Sequence, residues 1–143
     1  MSYNLEQAYS GFASYTAAGL AIGTTTGTFK TSNTLNFTNN GVFKSKAATD
    51  NLTFTAGHTA LAAAQACLFA IWINATGTVS TTQGPIVTST DPCPTPTQTS
   101  NNVTLVGLIK VVATAVFTPG TTALGTGNTV TYLDCARMPG SAQ

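Results

Sequence analysis

The run from Cys67 to Ile73, C-L-F-A-I-W-I, limits most strongly what this chain can fold into; it ends at Asn74-Ala75-Thr76-Gly77 and resumes at Thr78-Val79. A short apolar run rich in β-branched and aromatic side chains, closed by turn-forming residues, reads as a buried strand that turns back on itself. Trp72 is the single tryptophan. Its large apolar surface marks it as a core anchor, and an indole N–H buried with it needs an acceptor. Phe69, Ile71, Trp72 and Ile73 are therefore expected in the core.

The rest of the composition agrees with extended chain. Threonine supplies 29 residues against 20 alanines, and threonine loses rotamer freedom in a helix while packing well on a pleated surface. Only 6% of residues are charged and the net charge is +1, where an ordinary soluble domain carries about 25% charged residues. The solvated surface must then be built from Thr, Ser, Asn and Gly. Such a balance offers little focusing for a nucleic acid, and no basic cluster interleaved with aromatics rescues that idea. Weakly charged surfaces resist association less than charged ones, which suits a chain that works inside an assembly. At 143 residues, one domain is the default.

From the N-terminus, Tyr3, Tyr9, Phe12 and Tyr15 alternate with small residues and lead to Ala17-Ala18-Gly19-Leu20-Ala21-Ile22-Gly23. A helix over Asn4 to Ala18 is opposed by Ser10-Gly11 and the weak charge pattern. Residues 1–28 read as an extended arm, which either docks on a neighbour or packs as an edge on its own domain; Tyr9, Phe12, Tyr15, Leu20 and Ile22 are its candidate interface anchors. Residues 29–143 read as the single β-sandwich domain. Asn40-Gly41, between Phe37 and Val42-Phe43, is a tight-hairpin signal because both residues tolerate positive φ. Leu52 and Phe54 alternate with Thr53 and Thr55 as a half-buried strand. Residues 56–66, A-G-H-T-A-L-A-A-A-Q-A, are rich in helix formers, yet strand, bend, strand is the favoured reading beside Gly57; His58 is expected as a surface turn residue. Pro85 argues for a sheet edge. Residues 88–102 form a long loop in which Pro92, Pro94 and Pro96 favour extended backbone, either an exposed contact element or a bridge across the end of the domain. Val103 to Val112 is the second strong strand, with Leu105 and Ile109 in the core and Gly107 marking a bulge or a close backbone approach. Phe117 joins the core, Thr118-Pro119-Gly120-Thr121 is a turn, and Thr129 to Leu133 is the last strand. Many short strands with frequent turns and no secure helix point to an all-β fold, an antiparallel β-sandwich or a jelly-roll-like barrel.

No chemical motif emerges. Glu6, Asp50, Asp91 and Asp134 fall in no acid–base pattern, the single histidine, His58, has no nucleophile elbow near it, and Gly125-Thr126-Gly127 lacks the lysine and the strand-to-helix context of a phosphate loop. Cys67 reads as a small buried hydrophobe; Cys93 and Cys135 show no metal-ligand spacing, and a disulfide between them is left open. Calcium loops, with carboxylates at fixed alternating positions, are missing. The reading is of a protein without enzymatic activity, cofactor or metal. No basic-then-apolar leader is apparent, no apolar run approaches the ~20 residues of a membrane span, and four Asn-x-Thr triplets match the glycosylation pattern as a by-product of composition.

Three pieces together, Asn74-Ala75-Thr76-Gly77-Thr78-Val79 with Gln83-Gly84, Leu105-Val106-Gly107-Leu108-Ile109-Lys110-Val111, and Phe117-Thr118-Pro119-Gly120-Thr121-Thr122-Ala123-Leu124, resemble structural proteins of tailed-bacteriophage particles. The likeness is to small capsid decoration (cement) or head-fibre proteins, over residues 52–134, leaving out the first 28 residues and the Pro-rich loop. The resemblance implies a protein made in the host cytoplasm that sits on the outer capsid surface of the virion. It implies a partner, the major capsid protein, a homo-oligomer of trimeric type, and reinforcement of contacts between capsomers. A receptor- or glycan-binding fibre module is the alternative, with the Pro-rich loop and the Thr/Asn turns as its contact surface; an exposed aromatic cluster flanked by polar groups at a loop end would favour it.

Overall fold

The computed structural model describes residues 11–98 and 100–136. Eleven strands are seen among them: β1 (Ala13–Ser14), β2 (Leu20–Ile22), β3 (Phe29–Thr31), β4 (Leu35–Asn39), β5 (Val42–Lys46), β6 (Thr49–Leu52), β7 (Gln65–Asn74), β8 (Val79–Gln83), β9 (Val87–Thr88), β10 (Val103–Ala113) and β11 (Asn128–Asp134). They form three antiparallel sheets, in the orders β1-β4-β5, β2-β3-β6 and β11-β10-β7-β8, with β9 also pairing β7. The sheets pack together in the manner of a β-sandwich, and none closes into a barrel. Of the two architectures expected, the barrel is therefore set aside.

The large sheet is built around the pairing of β7 with β10, which runs from Val103 opposite Asn74 to Val112 opposite Ala66. The period of two turns Cys67, Phe69, Ile71 and Ile73 to one face, where they join Val106, Ile109, Val111, Ala113 and Phe117 in the core. Facing them are Phe29, Leu35 and Phe37 from the two smaller sheets, with Phe54 and Leu61 from the segment before β7. Phe54 is the hub, its ring lying 5.3 Å from Phe29 and 5.0 Å from Phe69 in edge-on geometry, an arrangement that adds to simple area burial. Trp72 lies on the opposite face of β7 and is nonetheless buried; its indole N–H donates to Thr82 Oγ1 at 2.8 Å on the neighbouring β8. Leu105, expected in the core, shares that outer face and is half-buried, because it lies opposite Trp72 rather than Ile71.

The register of β10 shifts between Leu105 and Gly107, the bulge anticipated at Gly107. A side chain there has no room: an added Cβ would lie 2.5 Å from Leu20 Cδ1 and 2.6 Å from the Leu133 carbonyl oxygen. The missing side chain lets Leu20 of β2 pack directly on the large sheet. Asp134, at the end of β11, secures the same approach by accepting the backbone N–H groups of Gly19 and Leu20, each at 3.1 Å.

Residues 11–28 are thus not an arm separate from a domain that begins at 29. β1 pairs with β4 and β2 with β3, Leu20 is buried, and the physical reason is that their small and apolar residues complete two short sheets that would otherwise have two strands each. Residues 56–64 form turns around a single bridge, Leu61 to Phe117, with no helix, and 65–66 open β7. Cys93 and Cys135 are both free thiols. The Asn40-Gly41 hairpin is present, with φ of 50° and 74°, between β4 and β5.

Gly107→Ala is expected to lower unfolding stability by about 1–3 kcal/mol through overpacking, read as a lower urea midpoint at unchanged slope. Thr82→Val, which leaves the buried indole N–H without its acceptor, is expected to cost about 1–3 kcal/mol. Combined with Trp72→Phe it should cost less than the sum of the single changes, a coupling that a double-mutant cycle measures.

Candidate interaction surfaces

The small sheet β1-β4-β5 carries the most distinctive exposed surface. The turn at Asn40-Gly41 sets the register, with Thr38 opposite Phe43 and Asn36 opposite Ser45, while Ala13 lies opposite Thr38. Gly41 N–H also donates to Gly11 O at 3.1 Å, tying the incoming chain to the turn. Alternation then places Leu35 and Phe37 on the core face and Ala13, Tyr15, Thr38 and Phe43 on the other. There the Tyr15 and Phe43 rings stack, with centroids 6.1 Å apart and planes at 24°. Tyr15 Oη and Thr38 Oγ1 are hydrogen-bonded at 3.3 Å, and that same Thr38 oxygen accepts the Ala13 N–H at 3.2 Å. Phe43 is 63% exposed, while Val42, opposite Asn39, belongs to the other face. The result is an exposed aromatic surface bordered by Asn36, Asn40 and Ser45, suited to stacking against another apolar or ring-shaped surface rather than to enclosing a small molecule.

The sequence-derived anchors divide. Tyr15 belongs to this surface. Phe12, partly exposed, points to a separate hollow that it lines with Ala13, Ser14, Leu105, Cys135 and Ala136. Ile22 is exposed on β2, Leu20 is in the core, and Tyr9 lies outside the described residues. Phe43 is not among those anchors; the signal that finds it is the hairpin itself, since a two-residue turn at Asn40-Gly41 sets Phe43 opposite Thr38. The Pro-rich loop is partly packed in: Pro96 is buried, and an added Cβ on Gly84 would lie 2.8 Å from Pro94 O. A second apolar hollow, of about 220 Å3, opens on the outer face of the large sheet between Leu68, Leu108, Lys110 and Leu133.

Titratable groups serve the scaffold. His58 is half-buried rather than a plain surface turn residue: its ring lies 5.4 Å from Phe69 and its Nε2 is 2.7 Å from Thr81 Oγ1. Thr81 and Thr55 exchange hydrogen bonds, each backbone N–H donating to the other's hydroxyl oxygen, at 2.8 and 2.9 Å. Burial holds the His58 pKa below its ordinary value. Asp50 accepts the Thr24 hydroxyl and the N–H groups of Thr24 and Asn51, bonds that keep its carboxyl below the usual range. Burial pushes the Cys67 thiol up to about 11, and a thiol held neutral is a poor nucleophile. Among the described residues no group of three or more His, Cys, Asp or Glu side chains could hold a metal, and no helix is long and apolar enough to cross a membrane.

Because the folded state depresses the His58 pKa, the unfolded chain binds the extra proton more readily. The stability due to neutral His58 is therefore complete above its unfolded pKa of about 6.5 and declines as pH falls below it. His58→Ala is expected to flatten the fall in unfolding free energy between about pH 7 and pH 5, measured by urea titration at each pH. Compared with known proteins, the chain matches no family model, and no curated protein or solved structure is significantly similar to it.

Proposed function

We propose that this is a non-enzymatic virion structural protein, which binds the outer surface of an assembled capsid and reinforces contacts between capsomers through its Tyr15–Phe43 surface. The observation that carries the reading is this stacked, exposed aromatic pair, held on a paired sheet in a chain with very few charges. Aromatic side chains on a rigid support lose little entropy when covered, and such residues dominate association energies. The likeness of residues 52–134 to phage decoration and head-fibre proteins supplies the partner, the major capsid protein, and the location.

Because β1 and β2 are integral to two sheets, side-chain replacement tests the reading better than removal of the chain's beginning. Tyr15→Ser with Phe43→Ser is expected to leave a folded protein, judged by an unchanged far-ultraviolet spectrum and a cooperative melt. Co-sedimentation with capsids lacking the protein should fall at least about tenfold in affinity, the effect of losing roughly 1.4 kcal/mol. Undiminished co-sedimentation of the folded variant would refute the assignment.

The same pair, bordered by Asn36, Asn40 and Ser45, also favours a second reading, a receptor- or glycan-binding module that stacks a sugar face on Phe43. Saturation transfer from the Phe43 ring to a carbohydrate, with no affinity for capsids, would select it.

A further inference from the structure

The sheet edges are not equally protected. On one side of the large sheet, Thr55 takes the β8 edge by its paired bonds with Thr81, and Gln83 exchanges side-chain bonds with the Thr59 backbone. Gly84-Pro85 then breaks the run before β9. β5 carries Lys44 and Lys46, and β1, β2 and β6 are at most four residues long. These are the usual means of preventing strands from pairing with other molecules.

β11, the opposite edge of the large sheet, has none of them before its final residue, Asp134, and no other strand among the described residues covers it. Asn128 to Leu133, N-T-V-T-Y-L, contains neither charge nor proline. Its pairing with β10 is flanked by bonds from Thr114 N–H to Gly127 O and from Cys135 N–H to Val106 O. With the register between those points uninterrupted, the antiparallel alternation turns the main chain of Thr129, Thr131 and Leu133 inward to β10 and that of Val130 and Tyr132 outward.

We propose that this edge pairs with β11 of a second copy of the same chain, antiparallel about a two-fold axis at Thr131. Val130 of each copy then lies beside Tyr132 of the other, and about four main-chain hydrogen bonds satisfy the outward groups. The side-chain and charge patterns are self-complementary in this register. Thr131 meets Thr131, Leu133 meets Thr129, and Asp134, the strand's one charge, meets Asn128 instead of a second carboxylate. Leu133, 57% exposed in one copy, gains a neighbour, and the two large sheets become one. This pairing is isologous and closes at two copies; a trimer would require a head-to-tail contact. The proposal does not depend on what the Tyr15–Phe43 surface binds.

The test uses the full chain in sedimentation equilibrium at high micromolar concentration. The wild type is expected to be a dimer. Thr131→Lys and Thr131→Glu each set like charges directly opposite, a destabilising arrangement in a sheet, and each alone is expected to raise the dimer dissociation constant at least about tenfold. Thr131 is exposed in one copy and lies opposite Lys110 on β10, so both variants should keep a cooperative melt, that of Thr131→Lys slightly lowered by the neighbouring lysine and that of Thr131→Glu not. An equimolar mixture of the two should restore a mixed dimer, which no folding defect could produce. A monomeric or trimeric wild type, or variants that dimerise as tightly as the wild type, would overturn the proposal.

Discussion

The rest of the structure depends on the pairing of Cys67–Ile73 with the strand from Val103 to Val112. These are the two longest strands, and each turns a row of apolar side chains to the core. The two smaller sheets are too short to be independently stable: strands of two to five residues make up both, and small two- and three-stranded units need a packed face to persist. The phenylalanines supply it. Phe29 from one small sheet and Phe37 from the other meet the row headed by Phe69, with Phe54 between the layers.

A chain with so few charges meets its polar requirements with hydroxyls and amides. Threonine does here what ionic side chains do elsewhere. Thr81 and Thr55 close an edge, Thr38 accepts a backbone N–H, Thr82 accepts the indole N–H, and Thr104 Oγ1 donates to Thr38 O at 2.7 Å to join the large sheet to a small one. Each such bond is directional and local, so the fold gains specificity without the cost of desolvating ions. Asn39 Oδ1 is the exception among the described residues, a buried acceptor with no hydrogen-bond partner.

Much of this was legible from local chemistry. The apolar run ending at Asn74-Ala75-Thr76-Gly77, the Asn40-Gly41 hairpin and the glycine bulge at 107 each follow from rules acting over a few residues. What escaped depends on distant partners. Residues 11–28 resemble a detached arm because their strands are only two and three residues long, and their sheet partners lie up to 25 residues away. Leu105 reads as core because its neighbours do; a one-residue bulge reverses its face, and the exact site of the slip is not encoded in periodicity. Of the candidate contact surface, Tyr15 could be named from the sequence, while Phe43 needed the hairpin register that puts it across from Thr38. Leu20 could not be told from an exposed anchor, because the reason for its burial is the empty position at Gly107, more than eighty residues on.

The carboxylate of Asp134 that grips the main chain at Gly19 and Leu20 spans most of the polypeptide. A ribosome releases the chain in order, so β2, already paired with β3, gains this hold on the large sheet only after β11 has emerged. Any product truncated before β11 would leave the underside of Gly107 and the flank of Leu20 open to water. The join between β2 and the large sheet thus waits on a contact of high sequence separation, the kind that is made late in folding.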